Sequence, residues 1–310
     1  MKKVKYWFSA LLMLQLQVGC NFVHLQEHFL ERSLRRNGLV AKKAELGADQ
    51  IAYWEGGEGQ TLVLLHGFGA DGTFGWSEQI SVLSKHFHLI IPDLLWFGES
   101  NSRDLDFSVE HQARAITKLL KHIGVKNYDV AGISYGGIVA MQLMSQIPEE
   151  VDRAVIVDSP GPVYTREDYE ALLERFHVKS ASEIVLPTTF AGLDRLLRIA
   201  YRKPPYIPMI ARRDVIKFVK DGPAGERAAL LEQLLTDFEL LKTKTTPFKG
   251  RVLIIWGSDD WMFPLEIGTR LKNYFGDNAE MTVLKGARHA PNIEYSSQFN
   301  KAILKFLLAR

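Results

Sequence analysis

The stretch YDVAGISYGGIVAMQLM, residues 128–144, begins as an unbroken apolar run and continues with helical spacing. A single serine, Ser134, stands at the junction between Gly132 and Gly136. A serine flanked by glycines is a poor packing choice, but at a tight strand-to-helix corner it lifts a hydroxyl clear of a sheet. The spacing G-x-S-x-G in that setting is the arrangement of a nucleophile elbow, which makes Ser134 the first candidate for chemistry.

Working outward, short apolar runs bounded by glycine and polar turns alternate with longer segments of helical period, a β/α signature. Strands are expected at 39–45, 50–55, 61–65, 88–91, 128–133, 153–158, 251–256 and 281–284. The first two alternate polar and apolar residues, as in an antiparallel edge hairpin. The later ones, such as TLVLLHG, AVIVD and VLIIWG, read as parallel strands covered on both faces. Helical spacing is found at 108–123, 135–147, 265–275 and 295–308. The fold class is therefore α/β, with a mostly parallel twisted sheet of about eight strands and helices on both faces. Between 161 and 246 the alternation stops and helical stretches are punctuated by LPTTF, RKPPYIP and DGPAG. This segment is expected to form a helical cap over the carboxyl ends of the strands, where open α/β sheets bind ligands.

The 310 residues are 46% hydrophobic and 24% charged, the balance of a folded globular chain. A net charge of +2 with intermixed signs offers no broad basic field for nucleic acid. The amino terminus, MKKVKYWFSALLMLQLQVGC, joins three lysines to an apolar run over residues 6–16, which is shorter than a membrane-spanning helix needs. This reads as an export signal. Cys20 is the only cysteine, so an intramolecular disulfide is excluded. Its place directly after the apolar run resembles a bacterial lipoprotein signal, although Gln17 stands where that pattern usually has leucine. The resemblance implies lipidation of Cys20 and a cell-envelope enzyme held at a bacterial membrane. An ordinary signal, with a periplasmic or secreted product, is the alternative. Residues 21–38 are amphipathic, and suit a linker helix between anchor and domain or a helix packed on the domain. The expected organisation is leader 1–20, helix 21–38, core 39–160, cap 161–246 and core 247–310.

Together the segments LLHGFGAD, LIIPDLLWFGES, GISYGG, LIIWGSDDWMFP and GARHAPNIE resemble the α/β-hydrolase superfamily in order and separation, over roughly residues 39–310. Within it the chain is similar to capped bacterial lipases and esterases and to monoacylglycerol lipases. A serine hydroxyl needs a base to take its proton and a carboxylate to orient that base. The resemblance implies His289 as base and Asp260 as acid, with Asp158 an alternative acid at the end of the preceding strand. It implies an oxyanion hole from the backbone N–H groups of Phe68 and Tyr135.

Trp96 stands where relatives commonly have glycine or another small residue, and with Trp261 it is a candidate wall of the substrate pocket. The cap adds Phe176, Phe190, Tyr201, Tyr206, Ile207 and Met209, enough for an apolar acyl site. No metal cluster, phosphate loop or dinucleotide fingerprint is visible, and no cofactor is implied. The expected activity is cleavage of carboxylic esters, of monoacylglycerols or short- to medium-chain acylglycerols, through an acyl-enzyme on Ser134. A carbon–carbon bond hydrolase of the same fold and a non-catalytic binding protein are the alternatives.

Overall fold

A computed structural model describes residues 22–244 and 248–309. Nine strands form one sheet: β1 (Val40–Leu46), β2 (Asp49–Gly56), β3 (Gln60–Leu65), β4 (Phe87–Pro92), β5 (Asn101–Ser102), β6 (Tyr128–Ile133), β7 (Val151–Val157), β8 (Arg251–Gly257) and β9 (Ala279–Leu284). The order across the sheet is β1-β2-β4-β3-β6-β7-β8-β9, with the two-residue β5 paired to β2. From β4 to β9 neighbouring strands run parallel, while β1 and β2 pair antiparallel at one edge. All eight expected strands are present; β5, too short to carry a period, is the addition.

The continuous apolar runs have a direct structural reason. Successive side chains of a strand point to opposite faces, so a sheet covered on both sides needs apolar residues at every position. Val63 and Leu65 of β3 join one buried cluster, with Ala113, Ile116, Ile138 and Leu271 of the helices Val109–His122, Tyr135–Gln146 and Leu265–Phe275. Leu62 and Leu64 join the other, with Leu34, Ile80, Leu83, Phe299 and Ile303 from the opposite helical layer.

Leu34 lies on the helix Phe22–Arg36 and is 2% exposed. Packing of that side chain beside Leu39 and Trp54 seats the helix on the core, so it is docked on the sheet layer rather than extended from it. Cys20 and the rest of the expected leader lie outside the described residues.

Between β7 and β8 run the helices Arg166–Phe176, Ser182–Val185, Phe190–Ala200, Met209–Asp221 and Ala224–Lys244. Among the described residues no helix is long and apolar enough to cross a membrane.

The chain leaves β3 toward β4 on one side and returns to β6 on the other, so strand order reverses between β3 and β6. That reversal opens a crevice at the carboxyl ends of these strands, the usual ligand position in such sheets. Leu65 pairs with Gly132 at this end, which brings the loop after β3 against the turn after β6.

Candidate active site

Ser134 occupies the turn after β6 with φ 52° and ψ −119°. A non-glycine residue rarely adopts that backbone, and holding it there costs on the order of 1–3 kcal/mol. The neighbouring glycines explain how the turn is sustained. A side-chain carbon at Gly132 would collide with the Gly136 carbonyl, and one at Gly136 with the carbonyls of Leu65 and His66. The Ser134 N–H is held by the Val157 carbonyl at 2.8 Å.

Histidine and carboxylate arrive from the ends of other strands. His289 follows β9 and places Nε2 2.9 Å from Ser134 Oγ. Its Nδ1 lies 2.8 Å from Asp260 Oδ2, after β8. The other Asp260 oxygen accepts from the backbone N–H of Met262 at 2.7 Å and of Phe263 at 3.1 Å. With one oxygen fixed by two donors, the second has a fixed aim at the imidazole. The Asp260 side chain is fully buried, and that of His289 is partly buried at 13% exposure. Asp259, the adjacent carboxylate, turns outward to Arg202 at 2.9 Å.

Asp158, at the end of β7, is also buried, and one of its oxygens accepts from the Gly257 N–H at 2.8 Å. The other has no hydrogen-bond partner. Burial, and then the neighbouring Asp260 charge, push the Asp158 carboxyl well above the ordinary carboxylate range, which favours its neutral form. Asp158, Asp260 and His289 each offer an atom within 4.8 Å of the others, close enough to grip a cation. A carboxyl raised by burial and an imidazole already bonded to Asp260 suit proton handling better than metal binding.

The Phe68 and Tyr135 positions flank Ser134. Among the described residues no acceptor takes either backbone N–H. His66 explains how the first is aimed. Its Nε2 accepts from the Leu94 N–H at 3.0 Å, so its proton sits on Nδ1, which donates to the Gly67 carbonyl at 2.8 Å. Tying that carbonyl back leaves the N–H of the same peptide, that of Phe68, pointing the opposite way. Complete burial pushes His66 down to about 4, keeping the imidazole neutral in this role. Nothing in the motif LLHGFGAD singled out His66 for this role.

Two further contributors were missed. Asn292, inside the quoted GARHAPNIE motif, is buried and donates to the Gly75 carbonyl at 2.7 Å, fastening the histidine loop to the loop after β3. Arg288 donates to the carbonyls of Arg198 and Tyr201 and stacks on Trp261, 3.6 Å from its ring centroid. The Ala290 N–H donates to the Ala200 carbonyl at 3.0 Å. The histidine loop is thus bonded to the last turn of the helix Phe190–Ala200. Nothing in residue type announces such contacts, because a backbone carbonyl leaves no mark in a sequence.

The serine opens into a cavity of about 190 Å³. Phe68, Ile138, Leu172, Leu234, Phe238 and Met262 are among its walls, and no Asp, Glu, Lys or Arg lines it. Tyr201 lines it too, whereas Phe176, Phe190, Tyr206, Ile207 and Met209 do not. Neither tryptophan lines it, which corrects the expectation for both. Trp96 is 3% exposed and packs on Phe107, with ring centroids 4.8 Å apart, while its carbonyl accepts from Arg227 at 2.9 Å. Its φ of 67° explains why glycine suits this loop position and turns the indole into the core. Trp261 is 41% exposed beneath Arg288.

Fold and site together describe a serine, histidine and carboxylate relay at the strand reversal of a doubly covered parallel sheet. Residues 60–295 match the model of the alpha/beta hydrolase fold family, and the chain belongs to that family. Lipase 1 of Psychrobacter immobilis is 28% identical over 306 residues, covering 93% of this chain and 92% of that protein. The crystal structure of a putative lipase from Acinetobacter baumannii AYE superposes with a TM-score of 0.77 at 25% identity, covering 91% and 95% of the two chains. A membrane phospholipase A described as a bacterial virulence factor shares the fold at a TM-score of 0.79 and 24% identity, over the whole of both chains.

Proposed function

We propose that this carboxylic ester hydrolase acts on neutral lipid esters such as monoacylglycerols or short- to medium-chain acylglycerols, through an acyl-enzyme on Ser134. The observation that carries the reading is the relay from Asp260 through His289 to Ser134 Oγ, opening into a cavity walled by apolar side chains.

His289 Nε2 takes the hydroxyl proton as Ser134 Oγ adds to the ester carbonyl, and Asp260 stabilises the imidazolium without being protonated itself. The tetrahedral oxyanion meets the N–H groups of Phe68 and Tyr135, each donor of this kind being worth about 10²–10³ in rate. His289 then hands its proton to the departing alcohol. Water, activated by the same imidazole, releases the acid and restores Ser134.

The acyl chain occupies the apolar cavity, and the helices between β7 and β8 act as its cap. A carbon–carbon bond hydrolase acting on anionic ring-cleavage products needs a cation to hold the substrate carboxylate. The cavity wall supplies none. The amino-terminal motif supports export and anchoring through a lipidated Cys20, and the mass of the mature amino-terminal peptide decides between this and an intact leader.

Hydrolysis of p-nitrophenyl esters from acetate to palmitate, by the protein and its Ser134→Ala variant, tests the activity. Turnover of medium chains by the first and none by the second is the expected result. No turnover of any ester by either protein would remove this reading and leave only the fold.

A further inference from the structure

The intermixing of charge that holds for the chain as a whole breaks down between residues 198 and 220. This segment carries seven Lys or Arg and one Asp, so the remainder of the protein has 31 basic against 35 acidic residues. Six net positive charges therefore sit on a stretch of 23 residues in a chain whose total is only +2.

The structure shows where they point. On the helix Met209–Asp221, Arg213, Lys217 and Lys220 recur at helical spacing along one exposed stripe. None of the three has a carboxylate partner among the described residues, whereas Arg212 on the same helix pairs with Asp194 at 2.8 Å. At the amino-terminal end of the stripe Tyr206, Met209 and Ile210 are 88%, 56% and 49% exposed. Exposed apolar residues grouped in this way, beside unpaired cations, call for a partner that is apolar within and negatively charged at its surface.

We propose that the stripe of Met209–Asp221 and the loop before it form a docking face for an anionic lipid bilayer. Two features of the chain's course favour that occupant. The helix packs against Phe22–Arg36, the helix that directly follows the leader with its apolar run at residues 6–16, so a leader held in a membrane brings this face to the same surface. The exposed loop also begins just after Tyr201, which lines the cavity, so docking sets the substrate site beside the lipid. The face is independent of the ester chemistry, and its test reads binding alone.

The experiment is flotation of the full chain with vesicles of phosphatidylcholine alone or of phosphatidylcholine mixed with phosphatidylglycerol, at low and high salt. Each basic residue near an anionic surface contributes about 1 kcal/mol. Arg213→Glu with Lys217→Glu and Lys220→Glu is therefore expected to weaken binding to the anionic vesicles by roughly a hundredfold or more while leaving binding to the neutral ones unchanged. A second variant, Tyr206→Ser with Ile210→Ser, alters only exposed side chains and is expected to weaken binding to both. Added salt should remove the anionic preference of the unaltered protein. Equal anionic preference in the unaltered protein and the charge variant would overturn the assignment, as would binding to DNA without binding to vesicles.

Discussion

Asp158 and Asp260 follow adjacent strands β7 and β8 as two buried carboxyl groups that differ in the hydrogen bonds they receive. Asp260 receives two backbone N–H groups and the His289 imidazole. Asp158 receives one N–H and leaves an oxygen unpaired. Like charges this close cannot both ionise cheaply, and burial weighs further on Asp158, whose carboxyl is raised.

Removing the Asp260 charge in Asp260→Asn therefore frees Asp158 to ionise. Loss of the orienting acid in a serine triad costs about 10⁴ in kcat. Here a loss nearer 10² is expected, with residual activity that climbs with pH because the raised Asp158 pKa must be passed before its carboxylate can serve His289. The double variant with Asp158→Asn should fall at least tenfold further. Equal kcat in the single and double variants, at every pH, would show that Asp158 has no such capacity.

Trp96 occupies left-handed backbone, yet its indole is packed on Phe107 in the core. Trp96→Gly relieves strain of about 1–3 kcal/mol and loses packing worth about 3–5 kcal/mol. The expected net effect is a loss of roughly 2 kcal/mol in denaturant unfolding, with KM for esters changed less than threefold. A raised KM with unchanged stability would return Trp96 to the pocket wall.

Leu234 lines the cavity from the helix Ala224–Lys244. Leu234→Trp fills acyl space without touching Ser134, His289 or Asp260. The chain-length optimum should move to shorter esters, with kcat/KM for long esters down tenfold or more and for acetate nearly unchanged. A uniform loss across all chain lengths would place the acyl chain elsewhere.

His66 titrates in the folded protein at about 4, below its ordinary 6.5. The unfolded chain takes up this proton first as pH falls, so stability contributed by neutral His66 is complete above pH 6.5 and is lost progressively down to pH 4. His66→Gln cannot take the proton. The stability gap between the protein and this variant should narrow by about 3 kcal/mol across that window, at 1.36 kcal/mol per unit. Urea unfolding at several pH values measures it, and a constant gap would mean that His66 is not held neutral.

Much of the fold is legible because its determinants are local. Strands such as LIIPD and VLIIWG announce their double coverage by composition, and the elbow around Ser134 announces itself by the two glycines that alone fit its close contacts. Trp96 and Trp261 could not be placed in the same way. An aromatic side chain is equally suited to a core, a pocket or a surface cation, and only the backbone at Trp96 and the guanidinium over Trp261 decide among these. Arg288 and Asn292 were silent for a related reason, since their partners are main-chain carbonyls that any residue supplies.

The sequence by itself determined the strand and helix order and the elbow at Ser134, because each rests on short-range pattern and spacing, while His289 and Asp260 came from resemblance to a family, with Asp158 left open beside them. Only the tertiary structure decided that burial beside Asp260 raises the Asp158 carboxyl, that His66 braces the Phe68 peptide, and that Arg213, Lys217 and Lys220 share an exposed face. Those outcomes depend on burial and on distances between residues far apart in the chain, and folding is what sets both.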